Sequence, residues 1–357
     1  MIRMQDIADM AGVSRTTVSN VLHGKTKRVS QETMEKIRKI LEENEYEPNI
    51  ASRMLAGGGS RIIGFVLGYS YTHGYPATLD PFVGELLASI QNEAEKLGYY
   101  IIIINADKDE KVENIASRWN IEGLIFVGFS EQRYRLLCRK LNKRAVMIDT
   151  YTQREEYDYQ NVGIDDYNGG YQVGEYLLGC GYPDALYIVE ETQIYSCEKV
   201  ERISENAKFG GRVNQKRWKG FCAAMEQNGG YCSPRRYIVV NMENHIRRKQ
   251  YEKLLPRILN AGALAMGSDY NAIEMINFLQ DHSICVPDQV SVVGFDDCMY
   301  AEYIRPKLTT VHQDISLKGR TALRRLIKMI KGETLPEMYV SNPVRLVVRD
   351  SVKARRR

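Results

Sequence analysis

Arg15, Thr16, Thr17, Ser19 and Asn20 crowd short or forked hydrogen-bonding groups into one turn and a half of chain. The Arg fork matches O6 and N7 of guanine, the Asn amide matches N6 and N7 of adenine, and the hydroxyls suit single bonds to phosphate. The set therefore has the chemistry to read a DNA major groove. Lys25, Lys27 and Arg28 follow, so residues 1–30 hold five Lys or Arg against two acids. Phosphate attraction is local, whereas the net charge of +4 for the whole chain argues nothing by itself. A second set lies far downstream: Tyr69 and Tyr71, Asp149 and Tyr151, Ser268 and Asp269, Asp296 and Asp297 each follow an apolar run. Carboxylates accept bonds from hydroxyls and aromatic faces cover sugar C–H surface, so the set suits a small polyhydroxylated ligand. Singly, an Asp after a strand serves as readily as a helix N-cap.

Several chemistries find no support. There is no GxSxG, HExxH, Walker loop or GxGxxG after a strand, and the five histidines lie without a Cys or carboxylate at ligand spacing. Neither catalysis, a metal nor a cofactor is expected. Asp296 and Asp297 could be imagined as the acid and base of a sugar-active enzyme, but neighbours on an extended chain point to opposite sides. The seven cysteines are odd in number and form no CxxC pair, so reduced thiols are expected. With 44% hydrophobic and 26% charged residues, and no apolar run near the roughly 20 residues of a span, membrane insertion is not expected. The start, Met1 to Ile7, puts an acid where an export signal needs bases and then an apolar run, so a cytoplasmic protein is expected rather than a solute-binding protein for import.

The elements that must position the first set are helices. Apolar Ile7, Ala8 and Ala11, then Val18, Val21 and Leu22, follow i, i+3, i+4 spacing on either side of Gly12-Val13-Ser14. Gly12 can take positive φ, Ala8 lets two helices approach, and Ser14 can cap the second, which makes a helix-turn-helix. A third helix is expected from about Gln31 to Asn44, capped by Ser30, with Met34, Ile37 and Leu41 closing a small core. Asn49 can cap two further turns that Gly57-Gly58-Gly59 stop, a helix too short to hold alone in water.

Beyond Gly59, apolar strands at about 62–68, 99–104, 123–128, 145–149, 185–190, 236–240, 263–266 and 290–295 alternate with amphipathic segments. This is the pattern of parallel sheets covered by helices, whose ligands sit beyond the carboxyl ends of the strands.

Asp6-Ile7-Ala8, Ala11-Gly12-Val13-Ser14, Thr17-Val18-Ser19, Val21-Leu22, Tyr46-x-Pro48-Asn49 and Ala51-x-x-x-Leu55 resemble the LacI/GalR family of bacterial transcription regulators. The resemblance continues in Val162-Gly163-Ile164-Asp165-Asp166, Arg217-x-x-Gly220-Phe221, Val292-Val293-Gly294-Phe295-Asp296 and Pro306-x-Leu308-Thr309-Thr310-Val311. It implies a homodimer or higher oligomer, a repressor binding a palindromic double-stranded DNA operator under control of a sugar-like effector. Arg15, Thr16 and Asn20 fall on its base-reading positions. Ser14, Thr17, Ser19 and Lys25 are expected at phosphates, and Leu55 as a wedge in the minor groove. Effector contacts are implied for Asp149, Arg217, Asp269 and Asp296, with Tyr69 and Tyr151 beside them. Arg3 departs from the family's capping Thr. A polar stretch from Glu191 to Val213 exceeds the family's short loop, leaving lid, partner surface or disordered insertion open and Arg212 as a rival to Arg217.

The expected architecture is a helix-turn-helix domain over 1–47, a hinge helix and linker over 48–60, and a two-lobed periplasmic-binding-protein-like α/β domain over 61–350. A solvated basic tail takes 351–357. Lobe N is expected over about 61–162 and 307–333, lobe C over about 163–305 and 334–350, with crossings near 162, 306 and 334.

Overall fold

A computed structural model describes residues 2–22, 26, 29–44, 46, 59–69, 71–72, 75–152, 154, 156–191, 211–230 and 232–355. The chain forms two compact units, Met1–Ser60 and Arg61–Arg357.

In the first unit, helices α1 (Met4–Ala11), α2 (Arg15–Leu22) and α3 (Gln31–Glu43) bury Ile7, Ala8, Ala11, Val18, Val21 and Ile37 against one another. Gly12 takes φ 68 at the end of α1, the left-handed conformation that lets the chain turn at once into α2. Ser14 accepts the Thr17 amide at 3.1 Å and Ser30 the Thr33 amide at 3.2 Å, so each caps its helix. At α1, where Arg3 replaces a capping hydroxyl, the Asp6 carboxylate instead accepts the Arg3 amide at 2.7 Å, half of a reciprocal cap.

The second unit begins with β1 (Ile62–Leu67), a two-stranded ribbon of β2 (Tyr71–Thr72) and β3 (Tyr75–Pro76), and α4 (Pro81–Lys96). Then come β4 (Tyr100–Asn105), α5 (Asp109–Arg118), β5 (Gly123–Val127), α6 (Glu131–Leu141), β6 (Arg144–Ile148) and β7 (Gln160–Ile164). The chain continues as α7 (Asp166–Gly179), β8 (Leu186–Glu191), α8 (Gly211–Gln227), β9 (Tyr237–Asn241), α9 (Asn244–Ala261), β10 (Ala263–Met266) and α10 (Asp269–Asp281). It ends with β11 (Ser291–Asp296), β12 (Thr309–Gln313), α11 (Ile315–Ile330), β13 (Tyr339–Asn342) and β14 (Val344–Val347).

Two six-stranded sheets result, ordered β13-β7-β6-β5-β1-β4 in lobe N and β14-β12-β11-β10-β8-β9 in lobe C. All pairings within them are parallel except β12 with β14. Helices cover both faces, with apolar clusters on either side of each sheet.

The lobe boundaries differ from expectation. The chain crosses between sheets after β7, just past the expected 162, and then after β12 and between β13 and β14 rather than near 306 and 334. β12 belongs to lobe C because its Val311 and His312 register with Phe295 and Asp296, while β13 belongs to lobe N beside β7. The tail is anchored at its start, while Lys353 to Arg355 are exposed. Ser351 is fully buried and bonds to Val292 and Thr309, Lys353 pairs with Asp288 at 2.6 Å, and the Arg355 amide donates to the Cys180 carbonyl. Backbone and hydroxyl groups that would otherwise stay unpaired at the edge of lobe C hold it there. Cys222 on α8 and Cys232 ahead of β9 form a disulfide, against the reduced state expected, because the turn between the two elements brings them together. No helix among the described residues is long and apolar enough to cross a membrane.

Candidate functional site

α2 turns Val18 and Val21 inward and so presents Arg15 and Thr16 to solvent, with Ser19 and Asn20 one turn further on the same side. Ser14 is exposed at the head of the helix, but its hydroxyl already serves the Thr17 amide and lies 2.9 Å from the Thr17 hydroxyl. Ser14 and Thr17 are thus a joint cap as well as a polar edge. Lys25 and Leu55 lie outside the described residues.

The larger unit brings its polar set together where β6 of lobe N and β11 of lobe C end. Each of these strands runs into an aspartate with positive φ, Asp149 at 52 and Asp296 at 122, with Asp297 at 58 beside it. Left-handed backbone at non-glycine residues stores strain and is found mostly where a side chain must be aimed. Asp149 accepts the Lys318 ammonium at 2.7 and 2.9 Å, and the same ammonium donates to the Gln313 amide oxygen at 2.6 Å. The Gln313 amide nitrogen in turn donates to Asp296 at 2.6 Å. Since Lys318 stands on α11 and Gln313 ends β12, this chain of bonds ties lobe N to lobe C. Burial lifts the Asp149 carboxyl above its usual range against the pull of Lys318, and lifts Asp296 to about 7 against the pull of Arg217.

A second chain runs beside it. The Tyr151 hydroxyl of lobe N bonds to Asp166 at the start of α7, whose other oxygen accepts Arg217 Nε at 2.7 Å. Arg217 Nη1 donates to the Gly267 carbonyl at 2.9 Å, and the guanidinium lies 3.4 Å from the centre of the Phe295 ring. Lys216, the next residue on α8, holds its ammonium 3.7 Å over the Tyr151 ring. Close packing of α7 on α8 sets this geometry: a Cβ at Gly170 or Gly220 would overlap the backbone of Arg217 or Tyr167.

Of the expected effector residues, Asp149, Tyr151, Arg217 and Asp296 join these two chains. Tyr69 is half-buried near them, its hydroxyl pushed up first by burial and then by Asp80, Glu190 and Asp149. Asp269 does not line the cleft. It is wholly buried and braces the loop after β11, accepting the Thr310 hydroxyl at 2.5 Å and the Cys298 amide at 2.8 Å. That inward turn pushes its carboxyl well above the carboxylate range, by burial and by the nearby Asp296. Arg217 spans Asp166 and the Gly267 carbonyl, while the Arg212 side chain lies outside the described ones.

Asp166, Gln313, Lys216 and Lys318 were not foreseen. Lys318 had a signal: it falls on the buried face of α11 with Ile315 and Ala322, at i, i+3 and i+7, where a lysine is out of place unless paired. Asp166 had another, since Asp165 alone suffices to cap α7 through the Asn168 amide at 3.0 Å. At the outer ends of β8 and β9, fully buried Arg247 pairs with Glu274 at 2.5 Å and reaches Glu190 at 3.7 Å.

Comparison with known proteins gives two family matches: residues 3–49 to the bacterial regulatory proteins of the lacI family, and residues 195–352 to the periplasmic binding protein-like domain. The HTH-type transcriptional regulator DegA of Bacillus subtilis strain 168 is 29% identical over 353 residues, covering 97% of this chain and 96% of its own. Among solved structures, the Lac repressor dimer bound to operator and the anti-inducer ONPF superposes with TM-score 0.77 at 22% identity, over 99% of both chains. A transcriptional regulator CelR–cellobiose complex gives 0.70 at 21% identity, over 98% of this chain and 100% of its own. These relatives are regulators of transcription, not enzymes.

Proposed function

We infer that this chain, a DNA-binding transcription regulator joining a lacI-family head to a periplasmic-binding-protein-like effector domain, is a repressor that binds a two-fold symmetric operator as a homodimer in the cytoplasm and responds to a sugar-like effector. The observation that carries the reading is the pair of hydrogen-bond chains across the cleft, Asp149–Lys318–Gln313–Asp296 and Tyr151–Asp166–Arg217. A ligand that offers hydroxyls to Asp149, Asp296 and Arg217 competes with these bonds or extends them. Either way it favours one lobe arrangement over the other, which is what an effector must do to change DNA affinity. The cellobiose held by the CelR neighbour supports the sugar class.

Arg15, Thr16 and Asn20 read bases in this account, Ser14, Thr17, Ser19 and Lys25 meet phosphates, and Leu55 wedges the minor groove. One recognition helix covers too few base pairs for specificity, so two copies are needed. The edge strand β4 exposes Tyr100 and Ile103, and the turn after β11 exposes Met299, Tyr300 and Tyr303, which are surfaces suited to a second copy.

A gel shift with DNA from upstream of the chain's own gene tests the whole reading. The full chain should retard that DNA as a dimer, and one of a panel of mono- and disaccharides should change the midpoint severalfold. Retardation that no sugar alters would remove the sugar effector. Equal retardation of unrelated DNA would remove the operator.

A further inference from the structure

Among the described residues, the floor of the cleft contains three cations, and two of them have their anions built in. Arg217 is matched by Asp166 at 2.7 Å and Lys318 by Asp149 at 2.7 Å. Lys216 is not matched. Its ammonium, half-buried on the second turn of α8, rests on the Tyr151 ring at 3.7 Å and makes no hydrogen bond or ion pair among the described residues. The acids nearest it are otherwise engaged: Asp165 caps α7, and Asp166 divides its oxygens between Arg217 and Tyr151. A ring face offers an ammonium far less than a carboxylate does, and a partly desolvated charge without a counter-ion is a costly arrangement unless a ligand completes it. Burial accordingly draws the Lys216 ammonium below its usual range, with Asp166 and Asp165 opposing and Lys219 adding to the fall.

We propose that the effector is an acidic polyol, carrying a carboxylate or a phosphate that the Lys216 ammonium binds. The proposal rests on the interlobe cleft being the effector site and adds the charge of the ligand. The surrounding groups fit it. Burial lifts Asp296, at the end of β11, to about 7, so it repels an incoming anion less than an ordinary carboxylate would. Asp149, Asp296 and Gln313 remain as partners for hydroxyls on the far side of the ligand. Glu190 is in reach of Arg247, at 3.7 Å.

Calorimetric titration of the full chain with D-glucose, D-galactose and D-mannose, each as the neutral sugar, the uronate and the 6-phosphate, tests this. In at least one ring form an acidic member should bind about tenfold tighter than its neutral counterpart, the advantage shrinking as salt is raised. Lys216→Gln should remove most of that advantage and Lys216→Arg should keep it, with an unchanged thermal transition showing that both variants fold. Neutral sugars binding as tightly as the acids, or an acid preference that persists in Lys216→Gln, would overturn the charged effector while leaving the cleft a sugar site. No binding by any of the nine compounds would count against the sugar-like reading of the cleft itself, and this inference would go with it.

Discussion

Arg15 and Thr17 sit two residues apart, yet the structure gives them different work. Arg15 is exposed at the first turn of α2, whereas the Thr17 hydroxyl is held against Ser14. Arg15→Ala should cost roughly 1–3 kcal/mol on the preferred operator and relax the base preference at one position per half-site. Thr17→Ala should weaken all sites about equally and leave the preference alone. Selection of binding sites from random DNA with both variants decides between them, and an unchanged preference in Arg15→Ala would mean that this side chain reads no base. Asp296 gives a prediction of another kind. Its folded value of about 7 stands above the ordinary 3.8, so between those limits the folded state holds a proton that the unfolded state has lost. Stability from this group is therefore full at the acidic end and drains away as pH rises towards 7. The melting temperature of the effector domain should fall by several degrees from about pH 5 to about pH 8, less so in Asp296→Asn. A slope that is the same in both proteins would exclude Asp296 as its source.

Elements carry these residues only as well as they pack. Gly170 and Gly220 allow α7 and α8 to touch through backbone, and the contact holds Arg217 and Lys216 at the cleft. Gly170→Ala should push the helices apart, lower stability by about 1–3 kcal/mol as overpacking does, and weaken effector binding more than DNA binding. Calorimetry alongside a gel shift would show both, and a variant as stable and as responsive as the parent would show that the close approach is dispensable. The helix-turn-helix was legible because apolar spacing, Gly12 and Ser14 all pointed to one geometry. The strands of the two sheets were legible where they were apolar. β7, β12 and β13 were missed because Gln160, Asn161, Thr309, Thr310, His312, Gln313, Ser341 and Asn342 interrupt their apolar runs. Those polar groups are there because all three strands end at lobe crossings, where Gln313 is needed at the cleft and the Asn161 amide oxygen accepts the Thr150 amide at 3.1 Å. Asp149, Arg217 and Asp296 could be placed from their positions after strands and from the family resemblance. Their partners could not, since Lys318 lies 169 residues beyond Asp149 and Asp166 lies 51 residues before Arg217, with only the fold to join them.

At the scale of the whole chain, the three crossings mean that neither lobe is a contiguous stretch of sequence. Lobe N takes its last strand from Tyr339–Asn342 and lobe C takes one from Val344–Val347 and an edge from Ser351 onward. The order of synthesis follows from this. Residues of the DNA-binding head as far as α3 have emerged and can close their small core when the whole of the sensor is still to be made. Both lobes, by contrast, wait for the final twenty residues or so before either sheet is whole. A stop codon between α11 and β13 would therefore strip a strand from both halves of the sensor at once, and would leave the head with its recognition helix intact but no working response to attach to it.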